Sequence, residues 1–336
     1  MRSVVGAAVV IVALSVLLLE AGGYDAPLAL LALWNGSLGS GYALTSATLV
    51  RAVPLILAGL AVALAFRAGV FNIGAEGQLL AGAAISAVIA LKGSAVLGLL
   101  TLPAELVAGA LAGACWAGIA AWLRSRFRVL EVISTIMLNF VALHAVGLLV
   151  RGPLQEPLRI YPQSDALPDV ARLPRLIAGT RLHWGLVAAI VAGVALWWVL
   201  RYTAAGFRLR ASGANPQAAR SAGLVDVGRV TAGAFLASGA LAGLAGAVEL
   251  SGVTFALYES ISPGYGYTAI AVALLAQLNP LAVIGTGFFF GALEAGASAM
   301  QRDAGVPAAF VSVVEAGIVL AVIGAEAVRR AGGSSG

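Results

Sequence analysis

The chain is patterned as a succession of long apolar runs separated by short polar or glycine-bearing breaks. Such runs occupy 4–19, 44–66, 71–90, 95–122, 129–150, 183–200, 229–249, 262–277, 281–299 and 305–327. Most approach the roughly 20 apolar residues that a helix needs to cross a bilayer. In hydrocarbon each backbone N–H and C=O must be satisfied internally, which leaves helices and closed barrels. A barrel would show alternating segments of about ten residues. These runs are unbroken, so the pattern predicts an all-α polytopic membrane protein of about ten transmembrane helices. The 262–277 run is short and reads as a span or a re-entrant segment. The first run resembles a signal peptide in length, but it lacks an A-x-A-like cleavage site and Glu20 follows it directly. It is therefore read as a retained span.

Composition agrees. The chain has 336 residues, 61% hydrophobic and 10% charged. A soluble domain carries about 25% charged residues. The length suits a single membrane domain over 1–330, with 331–336 a flexible, linker-like tail given no function. Cys115 is the only cysteine, so no internal disulfide forms, and two histidines with one cysteine do not make a zinc site of the usual kind. The net charge of +5 would suggest nucleic acid in a soluble protein. Here it reports topology instead. With both termini cytoplasmic, Arg67, Arg124, Arg126, Arg128, Arg201, Arg208, Arg210, Arg220, Arg229, Arg329 and Arg330 fall inside. Lys92, Arg302 and the arginines of 151–182 fall outside, beside Glu156, Asp165 and Asp169.

Two loops are long. The outer one, 151–182, contains five prolines and reads as an extended surface. The inner one, 201–228, is basic and Ala-rich. In it Asn215 precedes Pro216 and "QAARSAG". Asn as N-cap and Pro at the first helical position predict a short helix that Gly223 stops. A faint internal echo links "LAVALAF" and "IGAEG" to "IAVALLA" and "IGTG", about 210 residues on. Transporters often carry such repeats, and Ala/Val/Leu-rich spans also generate them by chance.

Candidate chemistry is sparse. There is no G-x-x-x-x-G-K-[ST], H-E-x-x-H or G-x-S-x-G, so the chain has no P-loop and no recognisable catalytic constellation. His144 and His183 lack partners at useful spacing. Ionisable residues do fall inside spans: Arg51, Glu76, Glu105, Glu249, Glu294 and Glu315. Each costs about 2.5–3.5 kcal/mol at a helix centre, so a bundle interior or aqueous path is the default reading. Arg51 and Glu249 also fit shallow positions near headgroups. A helix starting near Phe71 would put Asn72, Glu76 and Gln78 on neighbouring surfaces. Glu76 then either lines a path or fixes a helix start, where the macrodipole favours an acid. Thr135 and Asn139 share one helix face at i,i+4. Asn139 either contacts substrate or hydrogen-bonds a neighbouring helix. Gly109/Gly113, Gly239/Gly243 and Gly287/Gly291 are GxxxG pairs that helix packing explains.

The blocks "GVFNIGAEGQLLAGA", "EVISTIMLNF" and "LRASGANPQAARSAG", followed by "SGALAGLAGAVEL", resemble the permease subunits of ABC importers across roughly 40–325. The resemblance is to the nucleoside and simple-sugar group within the set that includes branched-chain amino acid permeases. It implies a transport subunit that binds no cofactor itself, while partner ATPase subunits use ATP and magnesium. It also implies a second permease chain, often non-identical, and an external substrate-binding protein near 151–182. Membrane lipid surrounds the assembly, and nucleic acid is not a partner. Carried over by position, the ATPase-coupling loop comprises Gly206, Arg208, Arg210, Gly213, Asn215, Pro216, Ala218, Ala219 and Gly223. The candidate translocation path comprises Asn72, Glu76, Gln78, Thr135, Asn139 and Glu294. Nucleosides are the expected substrate and simple sugars the alternative. A proton- or sodium-driven transporter using the membrane carboxylates as relays is a rival reading, as is a membrane-embedded enzyme or scaffold.

Overall fold

Glycine decides how closely the central helices of this protein approach one another. A computed structural model describes residues 13, 15–223, 226–307, 309, 310, 312, 313, 316 and 317. Most of the 4–19 and 305–327 runs, Glu315 and the 331–336 tail lie outside the described residues. After helical residues at 15–21, the helices are α1 (Ala26–Ser37), α2 (Gly41–Arg67), α3 (Ala75–Leu97), α4 (Thr101–Phe127), α5 (Glu131–Arg151) and α6 (Gly185–Tyr202). They continue as α7 (Ala204–Ala214), α8 (Pro216–Ser221), α9 (Val227–Glu249), α10 (Tyr265–Leu275) and α11 (Pro280–Ala304). No strand forms among the described residues, where three isolated β-bridges are the only pairings of that kind.

Among the described residues, six helical stretches are long and apolar enough to cross a membrane. One of them, Ala75–Phe127, is 53 residues long. It reverses at Gly98 (φ 52°, ψ −123°), so it comprises the two antiparallel helices α3 and α4. α10 has 11 residues and is about 16 Å long, too short to cross. It is the element the sequence left between span and re-entrant segment. α1 was absent from the predicted spans because it has only 12 residues. Its start was nonetheless written in the chain, with Asp25 Oδ1 accepting from the Leu28 amide at 2.9 Å and a proline in the first turn.

The chain divides into two compact units, Ala52–Phe288 and a smaller one of Met1–Arg51 with Phe289–Gly336. In the larger unit α4 and α9 cross backbone to backbone. A Cβ on Gly113 would lie 2.6 Å from Gly243 Cα, and one on Gly239 would lie 2.9 Å from the Gly113 carbonyl carbon. Gly82 of α3 meets Gly243 equally closely, with a Cβ there 2.5 Å from its Cα. The predicted GxxxG pairs of α4 and α9 therefore make one three-helix seam. Lipid gives helices no hydrophobic reason to associate, so close backbone packing of this kind holds them. The smaller unit has its own core of Leu19, Ala26, Ala29, Ala32, Met300 and Val306. There Arg51 donates to Ser298 Oγ at 3.1 Å.

The 151–182 loop is extended, as its prolines predict, but it is not simply a surface. Leu167 and Ala171 are fully buried with Leu250 and Leu257. The amides of Ser164, Leu167 and Leu173 donate to the carbonyls of Leu257, Phe255 and Ser251 at 2.7–2.9 Å. The loop is thus clamped to the segment that follows α9.

Candidate functional site

The stretch from Arg67 to Ala75 leaves helical geometry, and this is where the polar residues gather. Asn72 precedes α3 and is not part of it, a correction to the expected helix start near Phe71. Its Oδ1 accepts from the Gly74 amide at 3.0 Å, a local turn that competes with helix. Asn72 and Gln78 then pair amide to amide, Nδ2 to Oε1 and Nε2 to Oδ1, both at 2.9 Å. Asn72 Nδ2 also donates to Ser238 Oγ on α9 at 2.8 Å, and Ser238 passes the chain on to the Ala61 carbonyl of α2 at 2.7 Å.

Asn139 of α5 closes the other side. Its Oδ1 accepts from the Gly77 amide at 2.8 Å, one of the N–H groups that the start of α3 leaves unpaired. Its Nδ2 donates to the Ile73 carbonyl at 3.0 Å and to Tyr267 Oη of α10 at 3.2 Å. Glu76 accepts from the Gly266 amide at 2.7 Å, in the first turn of α10. The carboxylate therefore stands in the first turn of its own helix and caps the first turn of another.

Asn72, Gln78, Thr135, Asn139 and Ser238 are all at most 2% exposed, and Glu76 is 7% exposed. Of the residues predicted for the path, five lie together. Thr135 packs beside Gly74, but its hydroxyl donates to the Glu131 carbonyl of its own helix at 2.7 Å. Glu294 lies on α11 in the smaller unit, where its carbonyl accepts from Ser298 Oγ at 3.1 Å. Sequence reasoning missed Ser238, Gly266 and Tyr267. Ser238 sits inside the SGALAG glycine block and was absorbed into packing, while nothing local marks Gly266 as the partner of a residue 190 positions away.

The network sits toward one end of the unit. Ala61 stands about two turns before the end of α2, Asn139 about two turns into α5 and Ser238 about three turns into α9. At that same end α7 and α8 form the basic loop. The predicted short helix is there: Asn215 Oδ1 accepts from the amides of Gln217 (3.1 Å) and Ala218 (3.0 Å), Pro216 opens α8, and Gly223 follows its end at φ 65°. Ala219 is buried with Val227, and Gln217, Ala218 and Arg220 are exposed. What the sequence did not foresee is α7, capped by Thr203 Oγ1 at the Gly206 amide (3.1 Å). Arg208 is exposed on it, and Arg210 is half-buried. Gly213 rests against the end of α2, where a Cβ would lie 2.9 Å from the Arg67 carbonyl carbon. Arg67 Nε in turn donates to the Leu278 carbonyl in the α10–α11 turn at 3.1 Å. The basic loop thus leans directly on the backbone that leads into the network. Of the internal echo, "LAVALAF" and "IAVALLA" each lie at the end of a helix, α2 and α10, but "IGAEG" straddles the start of α3 whereas "IGTG" lies inside α11.

At the opposite end His183 is buried beside Gly252 and Gly185, and its Nδ1 accepts from the Gly185 amide at 3.2 Å. Burial, and secondarily the charge of Arg181, pushes the imidazole down to about 4. Burial and the nearby Glu249 carboxylate hold the Tyr258 phenol above its usual range. Among the described residues no group of His, Cys, Asp and Glu could hold a metal ion.

Comparison with known proteins adds the family. The glucose ABC transporter permease protein TsgB13 of Haloferax volcanii is 42% identical over 292 residues, 84% of this chain and 76% of its own. The guanosine ABC transporter permease protein NupP of Bacillus subtilis is 38% identical over 319 residues, 93% of this chain and 90% of its own. The nucleoside ABC transporter permease protein NupB of Lactococcus lactis is 33% identical over 285 residues, 81% and 77% respectively. No solved structure matches. Residues 44–323 match the family described as branched-chain amino acid transport system / permease component, and the chain is a multi-pass membrane protein belonging to that family.

Proposed function

We propose that this chain is the transmembrane permease subunit of an ATP-driven importer that carries nucleosides across a prokaryotic cytoplasmic membrane. The observation that carries the reading is the similarity to the guanosine permease of Bacillus subtilis across nearly the full length of both chains. The arginine-rich end, with α7 and α8, is cytoplasmic. The exposed face of α8 docks a partner ATPase, which supplies the ATP and magnesium chemistry. A second permease chain and an external binding protein complete the importer. The presence of two different guanosine permease proteins, each similar to this chain, in Bacillus subtilis supports a non-identical sister chain.

In this reading the Asn72–Gln78–Ser238–Asn139 network is an inner gate in its closed form. Its amides bond each other, so it holds helices together. Movement of α7–α8 reaches it through Gly213 and the end of α2. The half-exposed ring of Tyr267, bonded through its hydroxyl to Asn139, is the open face of the network. A second reading, import of a simple sugar, is favoured by the 42% identity to the glucose permease of Haloferax volcanii.

Uptake distinguishes the two. Cells without endogenous nucleoside uptake, expressing the chain with its ATPase, sister permease and binding protein, should accumulate labelled guanosine. Unlabelled nucleosides should compete and glucose should not. Competition by glucose alone would transfer the assignment to the sugar reading.

A further inference from the structure

A cavity of about 220 Å³ with both polar and apolar walls lies behind the basic loop, apart from the buried amide network. Its walls are the end of α4, the α2–α3 turn, α7–α8 and the start of α9. Arg124 and Arg220 line it together with Ser125, Ser212 and Thr231. Ser212 is fully buried, and its hydroxyl has no hydrogen-bond partner among the described residues. A buried hydroxyl in that state carries an unmet desolvation cost, which a ligand in the cavity would recover. Val227 and Gly228, the first two residues of α9, also face the cavity and bring the positive end of that helix.

The charge balance favours an anion. Glu131 pairs with Arg124 at 3.2 Å and so offsets one guanidinium. Asp226 at the start of α9 is held by the amide and guanidinium of Arg229, at 3.1 and 3.2 Å. Arg220 is exposed and faces the cavity with neither carboxylate assigned to it.

We infer that this cavity binds a phosphate group, supplied by the headgroup of an anionic lipid. Guanidinium forks, a hydroxyl and a helix N-terminus are the donors that phosphate takes. The setting points to lipid. Trp122 and Phe127, each more than half exposed, pack edge to face at 5.2 Å at the end of α4. Arg126 stands over the Phe127 ring at 5.6 Å. Aromatic residues of this kind mark the headgroup level of a span, and basic pockets between spans at that level receive anionic headgroups. A phosphate there touches α4, α9 and the α7–α8 loop at once. The site stands without the transport reading; only its consequence, an anionic-lipid requirement for coupling, rests on it.

The test uses the full purified chain in nanodiscs of phosphatidylcholine, with phosphatidylglycerol added, with inorganic phosphate added, or with neither. Native mass spectrometry counts the retained phosphatidylglycerol, and melting reports stabilisation. Phosphatidylglycerol should be retained and should raise the Tm. Arg220→Gln, an exposed position that leaves the fold intact, should weaken retention about tenfold, as loss of a charge-assisted bond requires. Ser212→Ala should weaken it less, and Arg126→Gln, outside the cavity, should not change it. Stabilisation by inorganic phosphate that Arg220→Gln removes would keep the phosphate site and assign it to free phosphate. Equal retention by wild type and Arg220→Gln, with no effect of inorganic phosphate, would overturn the inference. So would protection of Ser125→Cys, an exposed position lining the cavity, from labelling by the docked ATPase in a Cys115→Ser background and in pure phosphatidylcholine alone, which would give the cavity to an acidic side chain of that subunit.

Discussion

Replacing Asn139 by leucine separates a gate that holds helices together from a residue that touches substrate. The two side chains are similar in size, so the change removes polarity and little volume. Three bonds go: Gly77 amide to Oδ1 at 2.8 Å, Nδ2 to the Ile73 carbonyl at 3.0 Å and Nδ2 to Tyr267 Oη at 3.2 Å. Tyr267 is half-exposed and finds another partner, but the Gly77 amide is buried at the start of α3. A buried group left unpaired costs about 1–3 kcal/mol, while interhelical side-chain bonds in membranes average about 0.6 kcal/mol. Two stranded backbone groups therefore place the loss on the order of 2 kcal/mol, a factor of about 30 in the folding equilibrium. Asn139→Asp keeps an acceptor for Gly77 but turns an oxygen toward the Ile73 carbonyl, so it should be at least as costly. Reversible denaturation in mixed detergent micelles measures both, alongside substrate binding by the assembled importer. If Asn139→Leu leaves the unfolding midpoint unchanged and weakens substrate binding, the gate reasoning is wrong and Asn139 is a substrate ligand.

Asn215→Ala removes both caps of α8 at a cost of about 1 kcal/mol; it should uncouple ATP hydrolysis from uptake with little change in Tm, and Asn215→Asp, which retains the acceptor, should restore coupling. Gly113→Val forces α4 and α9 apart, since a Cβ there already falls 2.6 Å from Gly243 Cα; a loss of about 1–3 kcal/mol, seen as a lower Tm or failed expression, is expected. His183 has its pKa depressed to about 4 in the fold against 6.5 unfolded, so its contribution is present above pH 6.5 and disappears as pH falls toward 4. That window corresponds to up to about 3 kcal/mol, and in His183→Gln the fall in Tm across it should flatten.

The sequence made the helices and the caps legible because both are local. Asn215 and Pro216 announce α8 within a few residues, and the caps formed as read. The glycine pairs of α4 and α9 announced close packing, though not that Gly82 of α3 joins the same seam. The polar residues before α3 were visible as a cluster. Their purpose was not, because Gln78 and Asn72 could have faced a path or each other, and only the fold pairs them. Ser238 and Gly266 were illegible for the same reason: each meets its partner across 166 or 190 residues of chain. α7 went unforeseen because "AAGFRLRASGA" has glycines that argue against helix, and tertiary contact of Gly206 and Gly213 with neighbouring backbone explains them.

ATP-driven movement of substrate through this chain is tested most directly by reconstitution. Proteoliposomes containing the chain with its ATPase, sister permease and binding protein should accumulate labelled guanosine when ATP is supplied on the ATPase side, with no ion gradient imposed. Uptake should stop when ATP is replaced by a non-hydrolysable analogue. Accumulation driven by a proton or sodium gradient, undiminished when the ATPase is left out, would contradict the account and make the protein a secondary transporter.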